Sequence, residues 1–220
     1  MDIDQLDIAT DGCRQAAGES VELTKWHYKA DKRDKYPKTF NIVEPHCDSC
    51  GGETFERGQL LGNAQNFARE LMELPSNMLT PVIFADRAKT ELEGLGVTVN
   101  VYDGDWIQEQ KMNAFWSVAK GSSEPPRMVE LIYEGEGASV DNTFCMVGKG
   151  VTFDTGGISI KPSANMGDMR ADMGGAAVTL AAMRCVELLE LESIEFFCLI
   201  NLLIVYIYPS NKHSKYHIFS

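Results

Sequence analysis

Val97-Thr98-Val99-Asn100-Val101-Tyr102 alternates along a run rich in β-branched residues, the pattern of a half-buried β-strand. Two helical patterns precede it. Leu60, Leu61, Ala64, Phe67, Ala68, Leu71 and Met72 recur at three- and four-residue steps, predicting a helix over 57–74 with one apolar stripe. Pro75 stops that helix, because proline cannot continue it. Thr80 and Pro81 suit the N-cap and first position of a second helix, which runs to about Leu95, where Gly94 and Gly96 end it. After the strand come a short helix around 105–111, a loop over Gly121–Pro126, strands over 128–133 and 143–147, and an Ala- and Leu-rich helix over 174–191. Strands alternating with helices predict an α/β fold with its sheet covered on both faces.

The two ends read differently. Residues 1–56 are polar and weakly patterned, with one strand-like piece at Thr39-Phe40-Asn41-Ile42-Val43. Ile194–Tyr208 is almost wholly apolar and is followed by Lys212, His213, Lys215 and His217. At roughly fifteen residues it is short for a bilayer span, so a buried strand is expected over a basic-flanked membrane anchor.

Composition narrows the function classes. An apolar content of 44% and a charged content of 24% are those of a globular protein. A net charge of −12 argues against a nucleic-acid partner, since phosphate binding needs clustered Lys and Arg. The six cysteines, Cys13, Cys47, Cys50, Cys145, Cys185 and Cys198, are scattered. The first residues, with Asp2, Asp4 and Asp7, carry no secretory-signal pattern, so a reducing cytoplasmic location is expected. His46-Cys47-Asp48-Ser49-Cys50 offers half a zinc site or a redox pair, but no second Cys/His pair follows at finger spacing. Ordinary loop cysteines are the expectation there.

The chemistry concentrates between Val147 and Gly175. Val147-Gly148-Lys149-Gly150-Val151-Thr152-Phe153-Asp154-Thr155-Gly156-Gly157 is followed by Lys161 and by Met169-Arg170-Ala171-Asp172-Met173-Gly174-Gly175. A phosphate loop fails on spacing: Thr143 stands where the upstream glycine belongs, and Gly150 where Ser or Thr belongs. A metal site fits better, with a solvated loop and a surface ion pair as the plain alternative. Asp154 and Asp172 are hard oxygen donors for zinc, manganese or magnesium. Lys149, at the end of a predicted buried strand, is expected to lose its charge on burial and offer a neutral amine. Lys161 is expected to stay protonated and face a developing oxyanion. Two such metals suit a hydrolase that activates water and polarises a carbonyl.

The run VGKGVTFDTGGISIKPSANMGDMRADMGGAA resembles the metal-binding segment of the leucine aminopeptidase (cytosol aminopeptidase) family. Pro75-Ser76-Asn77 and Thr80-Pro81, after the long helix, are similar to that family's linker helix and the start of its catalytic domain. The resemblance covers roughly residues 35–190. It implies a two-metal exopeptidase that releases N-terminal residues such as leucine from peptides. By resemblance, Lys149, Asp154 and Asp172 are metal ligands, with Asp154 bridging, and Lys161 is the catalytic lysine that polarises the scissile carbonyl. Met169 matches a residue lining the pocket for the substrate's first side chain. The implied metals are two divalent ions, zinc or manganese with magnesium accepted, and bicarbonate serves as base in the complete family site. The implied assembly is a homo-hexamer.

The expected organisation follows: a remnant of a smaller N-terminal α/β domain over 1–56, a linker helix over 57–75, the first half of the catalytic domain over 76–192, and a divergent apolar tail over 193–220. The fold expected is α/β, the first part of a mixed sheet sandwiched by helices. The family's second motif, Asn-Thr-Asp-Ala-Glu-Gly-Arg, supplies an aspartate and a glutamate for the metals and an arginine for bicarbonate. It is absent from these 220 residues, and the resemblance is expected to stop near Glu192. Glu187, Glu190, Glu192 and Glu195 are poor substitutes, because nothing orients them to the site. An alternative expectation is therefore a truncated, non-catalytic form that acts only beside full-length subunits.

Overall fold

The computed structural model describes residues 15–20, 22–23, 52–138, 141, 143–188 and 195–205. The strand-like piece at 39–43 and the His46, Cys47 and Cys50 cluster lie outside them. The chain divides into two units, Met1–Glu70 and Leu71–Ser220.

In the first unit, residues 15–20 are helical and lie alongside the early turns of α1 (Gly52–Glu73). Gln59 Nε2 donates to Glu22 Oε1 (3.1 Å), and Asn66 Nδ2 donates to the Glu22 carbonyl (2.6 Å).

The second unit is built on a four-stranded sheet in the order β1-β2-β4-β3. Its strands are β1 (Val97–Tyr102), β2 (Arg127–Glu134), β3 (Thr143–Asp154) and β4 (Glu195–Val205). Its helices are α2 (Pro81–Leu92), α3 (Gly104–Glu109), α4 (Asn113–Ala119) and α5 (Gly174–Leu188). β1 pairs antiparallel with β2 and β2 with β4, while β3 and β4 run parallel, so the sheet is mixed as expected. The parallel pair needs a crossover, and α5 supplies it.

Alternation along β3 shows that the sheet is covered on both faces. Gly148 faces α5, whereas Val151, at odd spacing from it, packs with Ala119, Phe115 and Trp116 of α4. On the α5 side, α2 lies next to α5, with Arg184 Nε 3.8 Å from Glu91 Oε2. Phe84, Leu131, Leu180, Met183, Ile200 and Leu202 are fully buried.

Local signals explain most boundaries. Thr80 caps α2, its hydroxyl accepting from Ile83 N at 3.4 Å, and Pro81 occupies the first position. α2 ends at Leu92, a little short of the expected Leu95. Within the apolar tail the expected buried strand is present. Residues 195–205 form β4, the strand inserted between β2 and β3, so this part of the segment belongs to the sheet. Cys198, Ile200 and Leu202 are all fully buried there. A strand covered on both faces reads as a continuous apolar run rather than an alternating one, which is why the run lacks a strand's period. Burial pushes the Cys198 thiol up to about 12. α4 was not anticipated by the sequence reading; its seven residues are too short for a helical stripe to register.

Candidate metal centre

Lys149 and Asp154 both lie on β3, five positions apart. In a regular strand an odd separation points side chains to opposite faces. The register corrects this. Val151 pairs with Leu203 and Phe153 with Ile204, leaving Thr152 as an extra residue. Lys149 and Asp154 therefore pair with Asn201 and Val205, an even separation, and face the same side. A bulge beside a site is a common way of re-aiming a side chain.

The approach of α5 to β3 depends on glycine. A Cβ on Gly175 would stand 2.9 Å from Lys149 N, and one on Gly148 would stand 2.9 Å from Ala176 Cα. Both obstacles are backbone, so only glycine allows this contact. Asp172, just ahead of α5, is thereby brought to Lys149, whose Nζ lies 3.1 Å from Asp172 Oδ1 and 3.0 Å from Oδ2. Oδ2 sits out of line for a hydrogen bond and is buried without a hydrogen-bond donor.

The second pair forms across a tight turn. Gly156 has φ +88°, and Lys161 N donates to the Thr155 carbonyl at 2.9 Å, folding the chain back on itself. Lys161 Nζ then donates to Asp154 Oδ2 at 2.7 Å and lies 3.0 Å from Met169 Sδ. Asp154 Oδ1 accepts from Gly156 N at 2.8 Å. Partial burial acts to raise the Asp154 carboxyl, but the Lys161 hydrogen bond, the Gly156 N–H and the charges of Lys161 and Lys149 outweigh it. Asp154 is held below the usual carboxylate range.

The structure thus brings Lys149, Asp154, Lys161, Met169 and Asp172 together. One expectation changes. The Lys149 side chain is not buried: it is 60% exposed and ion-paired with Asp172. β3 is the outer strand of the described sheet, which leaves that side chain open to water. Among the described residues no group of three His, Cys, Asp or Glu side chains gathers. The donors are two carboxylates and an amine, and Asp172 Oδ2, held only by its ion pair with Lys149, is the kind of hard donor a divalent cation takes. Two further residues went unread in the sequence. Arg170 pairs with Glu73, which lies far away in the chain, and no local spacing could signal that contact.

Fold and site together define a class: an α/β domain whose parallel strand pair, at one edge of the described sheet, leads into a lysine–carboxylate cluster with donors for a divalent cation. The chain belongs to the cytosol aminopeptidase family, whose catalytic domain matches residues 66–204. That match runs past Glu192 and takes in β4. A buried central strand exchanges Val, Ile, Leu and Phe freely, so motif-level likeness fades there before the fold does.

The cytosol aminopeptidase of Dictyostelium discoideum is 49% identical over 189 residues, covering 83% of this chain and 36% of the relative. The chain therefore spans about a third of the length of such relatives. Among solved structures, the bottromycin maturation enzyme BotP in complex with Mn superposes with a TM-score of 0.73 at 33% identity, covering 87% of this chain and 40% of that one. The leucyl aminopeptidase from Trypanosoma brucei in complex with actinonin gives a TM-score of 0.65 at 30% identity, covering 72% and 30%.

Proposed function

We propose that these residues serve a metal-dependent aminopeptidase that releases N-terminal residues such as leucine from peptides. The observation that carries this reading is the clustering of Asp154 and Asp172 with two lysines, one carboxylate oxygen of Asp172 being left without a donor. Lys149, Asp154 and Asp172 hold divalent cations, two in the complete site, with zinc or manganese preferred and magnesium accepted. A bound cation supplies Lewis-acid polarisation and a more acidic water. Lys161 donates toward the oxygen of the scissile carbonyl as negative charge develops there. Asp154, which accepts from Lys161, orients that ammonium. Met169, against Lys161, lines the pocket for the substrate's first side chain.

The complete assembly is a cytoplasmic homo-hexamer that uses bicarbonate as base and takes peptides rather than nucleic acid. Among the described residues no helix is long and apolar enough to cross a membrane.

A second reading is that these 220 residues hold a cation but turn over substrate only together with the part of the relatives' length that they do not match. A chimera separates the two questions. Residues 66–204 replace the matching segment of the Dictyostelium discoideum relative, and leucyl-p-nitroanilide hydrolysis is followed with added Mn2+. The chimera is expected to be active and to lose on the order of 10²–10³-fold in kcat with Lys161→Ala. A folded, Mn-loaded chimera without hydrolysis contradicts the proposal. The 220-residue polypeptide alone is expected to show no hydrolysis, and turnover that Asp154→Asn abolishes would overturn the second reading.

A further inference from the structure

Arg170 lies between Met169 and Asp172, on a 3-10 helix at Met166–Ala171 that buries none of its own side chains. Its first residue follows Asn165, at φ +64°, which makes no side-chain cap. The segment packs on β3 without a fully buried side chain or a side-chain cap, and the guanidinium adds a tie of its own. Arg170 Nη2 donates to Glu73 Oε2 at 2.5 Å, while Nη1 donates to the Gly167 carbonyl at 2.9 Å and to Asp168 Oδ1 at 3.3 Å. One planar fork thus ties both ends of the 3-10 helix to the last residue of α1.

Glu73 sits where the negative end of a helix disfavours a carboxylate. Arg170 offsets that charge. A single exposed ion pair would stabilise little. Here three acceptors share one partly buried guanidinium, which fixes geometry as well as charge. Asp172 N donates to the Met169 carbonyl at 3.3 Å, so the position of Asp172 follows that of the clamped turn.

We propose that Arg170 is a positioning residue. By clamping the 166–171 turn to Glu73 it fixes Asp172 opposite Lys149, and so sets the affinity of the Lys149–Asp154–Asp172 cluster for a divalent cation. The inference rests on the cation-binding reading above. Partners that orient a metal ligand typically change affinity by about 10- to 100-fold when removed, whereas a mere strap would change stability alone.

The test uses Arg170→Gln, Arg170→Lys and the exchange pair Glu73→Arg with Arg170→Glu in the whole chain. Mn2+ affinity is read from the EPR signal of free Mn2+, and amide exchange over 166–172 is read in the metal-free protein. Arg170→Gln is expected to weaken Mn2+ binding about tenfold and to speed exchange over 166–172, leaving α5 protected. Arg170→Lys, which keeps the charge but loses the fork, recovers only part of the affinity, and the exchange pair recovers most of it. Unchanged exchange over 166–172 in Arg170→Gln overturns the clamp. Faster exchange with affinity within about twofold of wild type makes Arg170 a strap only and overturns the positioning role. If the unaltered chain and Asp154→Asn bind Mn2+ equally poorly, the cation reading itself has failed, and the affinity claim falls with it. Amide exchange still judges the clamp in that case.

Discussion

Asp154→Asn is expected to lower the affinity of the chain for Mn2+ on the order of a hundredfold while leaving the fold intact. Removing a residue that merely orients a ligand costs about 10- to 100-fold, and removing a charged donor costs at least the upper end of that range. Asparagine keeps the shape and still accepts from Gly156 N, which lies 2.8 Å from Asp154 Oδ1. What it loses is the negative charge that holds Lys161 at 2.7 Å. That pair is partly exposed, so its loss changes stability little, within about 1 kcal/mol. A Mn2+ titration followed by EPR, beside a urea melt, reads both outcomes. Unaltered affinity with an unaltered melt would remove Asp154 from the site.

Gly175→Ala is expected to destabilise the chain through a clash between the added methyl and strand backbone. The added Cβ would meet Lys149 N at 2.9 Å, and a strand backbone hydrogen-bonded to β4 cannot retreat cheaply. α5 must lift from β3, which costs about 1–3 kcal/mol by the usual penalty for overpacking. The same displacement carries Asp172 away from Lys149, so Mn2+ affinity falls as well. Two neighbouring glycines serve as controls. A Cβ on Gly174 would meet only the flexible end of Met72, at 3.2 Å, and one on Gly167 would meet nothing within 4 Å. Gly167→Ala is therefore expected to stay within about 0.5 kcal/mol of the unaltered chain. Urea denaturation of the three variants checks the order, and a Gly175→Ala chain as stable as Gly167→Ala would contradict the packing argument.

Much of the fold was legible because local chemistry and tertiary structure agree. β1 spans the alternating run Val97–Tyr102 from end to end, and Thr80-Pro81 opens α2. The segment from Lys149 to Asp172 stands out as a candidate site because glycines, lysines and aspartates crowd between apolar elements. What stayed hidden depends on contacts remote in sequence. β4 could not be placed, since an unbroken apolar run has no period that names its neighbours. Nothing in Val151-Thr152-Phe153 announces the bulge that puts Lys149 and Asp154 on one side. The exposure of Lys149 follows from β3 being the outer strand of the described sheet, a matter of strand order rather than of residue type. Glu73 and Arg170 meet for the same reason: the fold places the end of α1 beside the site.

On binding a cation, Lys149 would give up its ion pair with Asp172 and release one ammonium proton to water, so that the free amine could coordinate. Electron spin-echo spectroscopy of the Mn2+-loaded chain, grown with 15N-labelled lysine, tests this directly. A 15N coupling to the bound Mn2+ is expected, surviving Lys161→Met and vanishing in Lys149→Met. Bound Mn2+ without any 15N coupling, or a coupling that persists in Lys149→Met, would contradict it.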